Sequence, residues 1–171
     1  MSSSNRALSG ARIVEFSTGA VVPLATGLLA LLGAEVIKVE GRKNLDFCRL
    51  LRLPVSKARP SPDEHPIFNQ VNLNKRSVCL DLTHPRGVEL ARGLVARADV
   101  VAENFSVGAM KRLGLDYPAL REIKPDLVMI SATTNGQRGP EAEALGFAPL
   151  FASLSGVGEM MGYPDAPPGE W

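Results

Sequence analysis

The sequence predicts an α/β fold, an open parallel sheet with helices on both faces. Three observations carry that reading. Short apolar runs alternate with helix-length segments in the order βαβ, βαβ, ααβ. The first strand, helix and strand fit within about 30 residues, the length of a unit that joins parallel strands by a crossover. The 171 residues are 45% hydrophobic and 22% charged, a globular balance that can bury a core.

Ala11–Phe16 is the first strand, ended by Ser17-Thr18-Gly19. Pro23–Leu32 follows as a buried apolar helix, with proline in its first turn and Gly33 as its stop. Glu35–Glu40 alternates polar and apolar residues, as a strand does. Residues 41–67 make a long excursion rich in charges and prolines, and such excursions in compact α/β proteins are often functional. Ser77–Leu82 is the next strand. Thr83 can cap the helix that runs from Pro85 to about Arg97, with Val88, Leu90, Ala91, Leu94 and Val95 as its apolar face. Asp99–Glu103 is a strand, Val107–Leu113 and Pro118–Ile123 are short helices, and Leu127–Ser131 is a strand expected to be buried. A polar, glycine-bearing stretch (133–146), a small-residue helix (148–157) and a proline turn (162–169) complete the chain.

Charge excludes some functions. Nineteen Lys and Arg against eighteen Asp and Glu leave +1, no global reason to bind nucleic acid or an anionic membrane. Cys48 and Cys79 match neither a disulfide scaffold nor a zinc or redox motif. No signal-peptide core opens the chain, and the apolar run Ala20–Leu32 is too short to span a bilayer, so a cytoplasmic protein with reduced thiols is expected. Residues 1–7 are expected to be a disordered tail. His65 and His84 lack partners at metal-ligand spacing, and no metal site is expected.

Ligands of an open parallel sheet bind outside the carboxyl ends of its strands, and four such ends carry candidate groups. Ser17–Val21, including Ala20 and Val21, leads into a helix N-terminus and suits a phosphate, or is a plain strand-to-helix turn. Asn72, Lys75 and their neighbours suit a phosphorylated ligand, although a solvated loop is the stronger reading on chemistry alone. Asn104 and Phe105, followed by Ser106, can read and stack on a purine, with Arg112 in reach of a phosphate; a cap and a core aromatic are the competing roles. The 131–140 loop, with Thr133, could shape a pocket for a thioester or carboxylate, or be a surface loop. No GxGxxG, GxSxG or Walker sequence occurs.

Taken together, LSGARIVEFS, LLALLGAEVIKVE, NLNKRSVCLDL, ADVVAENFSVGAMKRLGLDY, PDLVMISATTNGQRGP and LSGVGEMMGYPDAPP, running in register from Leu8 to Pro168, resemble the amino-terminal part of the class III coenzyme A transferases. This is the family of formyl-CoA transferase, the carnitine and bile-acid CoA transferases and α-methylacyl-CoA racemase. The resemblance implies a Rossmann-like CoA-binding domain (8–171 being its amino-terminal portion), an interlocked homodimer, acyl-CoA and a small carboxylic acid as substrates, and no prosthetic group. It implies CoA contacts at Ala20, Val21, Asn72, Lys75, Asn104, Phe105, Ser106 and Arg112 and near Thr133. Family members often carry an arginine directly after the second-strand glutamate; here Gly41 takes that place and Arg42, one residue later, is the substitute.

The family's transferases use an aspartate that passes through aspartyl-CoA thioester and mixed-anhydride intermediates. By position that aspartate falls beyond Trp171, and Asp165, inside the proline turn, is not its equivalent. This chain is therefore expected to be a truncated portion, inactive alone, with exposed apolar faces and a tendency to associate. The racemase branch carries a histidine–aspartate pair where this chain reads Gly146-Phe147-Ala148, which favours transferase chemistry. Two alternatives stand beside it: a non-catalytic CoA-binding or assembly subunit, and a nucleotide-binding oxidoreductase domain that the missing glycine fingerprint disfavours.

Overall fold

A computed structural model describes residues 6–51 and 61–161. The chain divides into two compact units, Met1–Ala132 and Thr133–Trp171. The first unit runs β1 (Arg12–Phe16), α1 (Val21–Leu31), β2 (Glu35–Glu40), a 3₁₀ turn (Phe47–Arg49), α2 (Pro66–Val71), β3 (Arg76–Cys79), α3 (Pro85–Val95), β4 (Val100–Glu103), α4 (Ala109–Arg112), α5 (Tyr117–Arg121) and β5 (Val128–Ser131). The second unit contains α6 (Ala148–Leu154) and α7 (Val157–Met160). The proline turn with Asp165 and residues 52–60 of the long excursion lie outside the described residues. Arg6 and Ala7, placed in the tail by the sequence, lie in a turn where Ser9 N–H donates to Arg6 O (3.1 Å).

The five strands are all parallel and lie in the order β3-β2-β1-β4-β5. Strand alternation sorts the core into two layers. Val14, Phe16, Val39 and Val101 face Ala91 and Val95 of α3, with Met110, Leu115 and Leu120 from the α4–α5 region. Ile13, Val36 and Ala102 face Val22 and Ala30 of α1. Helices thus cover both faces, as the sequence predicts. The strand order reverses between β1 and β4, so the crevice for a ligand opens at their carboxyl ends.

Several local expectations change. Helix α1 is not buried all round: Val22, Pro23, Thr26, Gly27 and Ala30 are covered, whereas Val21, Leu24, Leu28 and Leu31 are exposed. Strand β5 is the sheet edge, so Val128 and Ile130 are half exposed although the run is apolar. Leu90 is exposed on α3, and only Gly87, Ala91 and Val95 are fully covered there. The cap of α3 is His84 rather than Thr83; its Nδ1 accepts from Arg86 N–H (3.1 Å). A helix, α2, starts at the end of the excursion after β2, where the sequence predicts none. Arg49 fastens this region: its guanidinium bonds Glu40 (2.9 and 3.2 Å), Asp63 (3.0 Å) and Pro62 O (3.0 Å) and stacks on Phe68.

Candidate functional site

Beneath the carboxyl ends of β1 and β2 lies a buried set of charges. Glu15 and Lys38 are cross-strand partners in register, so the sheet itself brings them together. Lys38 Nζ lies 3.1 Å from Glu15 Oε1, 2.9 Å from Asp46 Oδ2 and 3.0 Å from Ser17 O. The Glu15 carboxylate also pairs with Lys75 Nζ (2.8 Å) and accepts hydrogen bonds from the Thr26 and Ser17 hydroxyls. Burial alone would raise the Glu15 pKa; the ammonium charges of Lys38 and Lys75, with hydrogen bonds from Lys75 and Ser17, outweigh it and hold the carboxyl below its ordinary value. Burial likewise pulls the Lys75 ammonium below the usual lysine range, with Glu15 offsetting part of the effect.

Above this layer, the turn from β1 into α1 is held by side chains from two other strand ends. Asn104, after β4, accepts from Thr18 N–H (2.9 Å) and donates its own amide to Thr18 O (2.7 Å). Asp46, after β2, accepts from Gly19 N–H (3.0 Å). Phe47 N–H donates to Thr18 Oγ1 (3.0 Å), and the Phe47 ring lies where a side chain on Gly19 would project. Gly19 has φ +78°, which favours glycine in this turn.

Beside the turn is a cavity of about 670 Å³ over the carboxyl ends of β1 to β4. Its walls are Ser17 and Thr18, the run Val39–Asp46, the run Cys79–Thr83, and Phe105 and Leu113. Arg42 and Lys43 bring positive charge to the rim, while Leu80, Leu82, Phe105 and Leu113 supply apolar surface. This mixture suits a ligand with an anionic part and a flat or apolar part.

Of the residues that the sequence nominates, Arg42 and Phe105 line this cavity. Ala20 caps α1 and Val21 is its first residue, both exposed. Asn104 is committed to Thr18. The Lys75 side chain is buried and bonds Glu15, Pro23 O (2.7 Å) and Asn72 Oδ1 (2.9 Å); Asn72 in turn donates to Phe68 O. Ser106 and Arg112 are exposed around α4. Thr133 opens the second unit and is described with it. Glu15, Lys38 and Asp46 were not singled out from the sequence. The signal was present: Glu15 stands between Val14 and Phe16, and Lys38 between Ile37 and Val39, each a charge flanked by apolar strand residues.

The two thiols differ. Cys48 is buried, and burial, reinforced by the Asp46 charge, pushes its pKa up to about 11. Cys79 is exposed at the cavity. One fast-reacting thiol is expected when the native chain is titrated with an aromatic disulfide, with the second appearing only on denaturation. Two fast thiols would contradict this placement. Among the described residues no cluster of metal-ligating side chains occurs, and no helix is long and apolar enough to cross a membrane.

Comparison with known proteins decides the family. The sequence matches CoA-transferase family III over residues 8–170. This chain belongs to CoA-transferase family III. It is 38% identical over 162 residues to a succinate–glutarate CoA-transferase of Agrobacterium fabrum, covering 94% of this chain and 40% of the relative. It is 33% identical over 161 residues to the beta subunit of a succinyl-CoA–L-malate CoA-transferase of Chloroflexus aurantiacus, covering 94% of this chain and 38% of the relative. Among solved structures, a CaiB/BaiF family protein from Brucella suis superposes with a TM-score of 0.84 at 36% identity, covering 98% of this chain and 44% of that one. This family III chain thus spans about two-fifths of the length of the curated relatives it matches.

Proposed function

We propose that this family III chain forms the CoA-binding part of a transferase that moves CoA between an acyl-CoA donor and a carboxylic acid acceptor. The observation that carries the reading is the cavity at the strand ends, with Arg42 at its rim and Phe105 in its wall. A guanidinium suits the phosphates of CoA, and an aromatic wall suits its adenine. Ala20, Val21, Ser106, Arg112 and Thr133 are secondary contacts, taken from the family resemblance. Lys75, Asn72 and Asn104 support the site from within, because their polar atoms are already bonded to protein.

In this reading the transfer uses an aspartate outside residues 1–171 as nucleophile. Its carboxylate attacks the acyl-CoA carbonyl and expels the CoA thiolate, leaving a mixed anhydride. The thiolate then attacks the aspartyl carbonyl, releasing the first acid and leaving aspartyl-CoA. The acceptor carboxylate repeats the two steps in reverse order, so no oxidant or prosthetic group is required. The exposed apolar face of α1 favours association, and a cytoplasmic homodimer is part of the proposal. The subunit name of the Chloroflexus relative supports a second reading, a CoA-binding subunit that works beside another chain.

Isothermal calorimetry tests the binding claim. CoA is expected to bind the wild-type chain, NAD much more weakly, and Arg42→Ala to weaken CoA binding about tenfold, the scale of one charge-assisted hydrogen bond. Equal affinity for CoA and NAD, or an Arg42→Ala variant that binds as wild type, would count against the site.

A further inference from the structure

We infer that Asp46 is a positioning residue for the cavity, acting through the backbone of Gly19 rather than on the ligand. The inference rests on the reading of the cavity as a CoA site. Asp46 is 2% exposed and belongs to the run that forms one cavity wall. Both its carboxylate oxygens are engaged with protein. Oδ1 accepts from Gly19 N–H (3.0 Å) and from Cys48 N–H (2.9 Å), and Oδ2 pairs with Lys38 Nζ (2.9 Å).

One side chain thus joins three parts of the molecule. Gly19 belongs to the β1–α1 turn, whose Ser17 and Thr18 form one wall. Cys48 belongs to the 3₁₀ turn that ends the wall Val39–Asp46. Lys38 belongs to the buried charge layer beneath both. The two walls come from segments 27 residues apart in sequence, and the Asp46–Gly19 bond ties one to the other. Lys38 neutralises the carboxylate, so Asp46 can lie at an anion-binding cavity without repelling the ligand. Fixing both walls before the ligand arrives lowers the ordering cost of binding.

Two variants separate this role from plain structural support. Asp46→Asn keeps the acceptor for Gly19 and Cys48 and removes the charge; Asp46→Ala removes both. Each is measured well below its own melting temperature, by calorimetry with CoA and by amide hydrogen exchange. Asp46→Ala is expected to weaken CoA binding about tenfold and to speed exchange at Gly19, with the core amide of Val101 unchanged. Asp46→Asn is expected to stay within about threefold of wild type and to keep Gly19 protected.

A folded Asp46→Ala variant with wild-type affinity and wild-type Gly19 exchange overturns the inference. So does an Asp46→Asn variant that keeps Gly19 protected yet loses as much binding as alanine, because charge and not the bond would then matter. If Asp46→Ala does not fold, a protected Gly19 with near wild-type affinity in Asp46→Asn supports the inference, and an unprotected Gly19 with wild-type affinity overturns it. Wild-type protein that binds no CoA defeats the proposed function instead, and the Gly19 exchange readout still decides whether Asp46 holds the turn.

Discussion

Replacing Glu15 with alanine is expected to cost about 3–5 kcal/mol of folding stability, the scale for removing one partner of a buried ion pair. The loss is large because two ammonium groups depend on one carboxylate. Lys38 and Lys75 lie 3.1 and 2.8 Å from its oxygens, and all three side chains are almost fully buried. Lys38 retains Asp46; among the described residues Lys75 retains Pro23 O and the Asn72 amide oxygen. Against a total stability of about 5–15 kcal/mol for a typical domain, this change alone brings the chain close to unfolding.

The pH dependence follows from the same geometry. The folded pKa of Glu15 is depressed, so below the ordinary value of about 4.3 the unfolded chain binds a proton that the folded chain refuses. Its contribution is full above that value and is lost as pH falls through the folded pKa. Urea denaturation should therefore show a wide gap between wild type and Glu15→Ala at pH 7 that narrows in acid. A variant within about 1 kcal/mol of wild type at pH 7 would show that the layer is not held by this carboxylate.

The second large effect is expected at Gly87, in the first turn of α3. Alanine in a helix normally gains about 1 kcal/mol over glycine. Here a Cβ would lie 1.9 Å from the carbonyl oxygen of Asp81 and 2.7 Å from its carbon. These are backbone atoms, so the turn Asp81–His84 must move, at roughly 1–3 kcal/mol or more. That turn is also a cavity wall, through Asp81, Leu82 and Thr83. Gly93 in the same helix has open space where its Cβ would go, which makes it the control. Gly87→Ala should lower the denaturation midpoint while Gly93→Ala raises it. A Gly87→Ala variant at least as stable as wild type would contradict the packing.

Much of the fold was legible because strand alternation and helix punctuation are local signals. Val14 and Phe16 against Ile13 reveal two buried faces before any neighbour is known. The misreadings came from information that local sequence does not carry. Leu127–Ser131 reads as a buried strand because its composition is apolar, yet its position at the sheet edge depends on strand order. Helix α1 reads as buried because both its sides are apolar, yet the first unit covers one side only. Helix α2 hides among prolines, one of which, Pro66, merely starts it.

At the site, the strand ends were identifiable from chemistry, but the roles within them were not. Lys75 looks like an anion ligand until β1 places Glu15 beside it. Asn104 looks like a base reader until the reversal of strand order places Thr18 opposite. Arg42 and Phe105 keep free faces toward the cavity, and neither fact could be read without the packing of β2, β3 and β4.

The most direct measurement is an NMR titration of the isotope-labelled chain with CoA. The predicted result is saturable shift changes at the amides of Thr18, Arg42, Leu82 and Phe105, with Lys124 and Asp126, an ion pair just before β5, unchanged. Saturable changes confined to residues away from the strand ends, or none in a folded chain, would contradict a CoA site in this cavity.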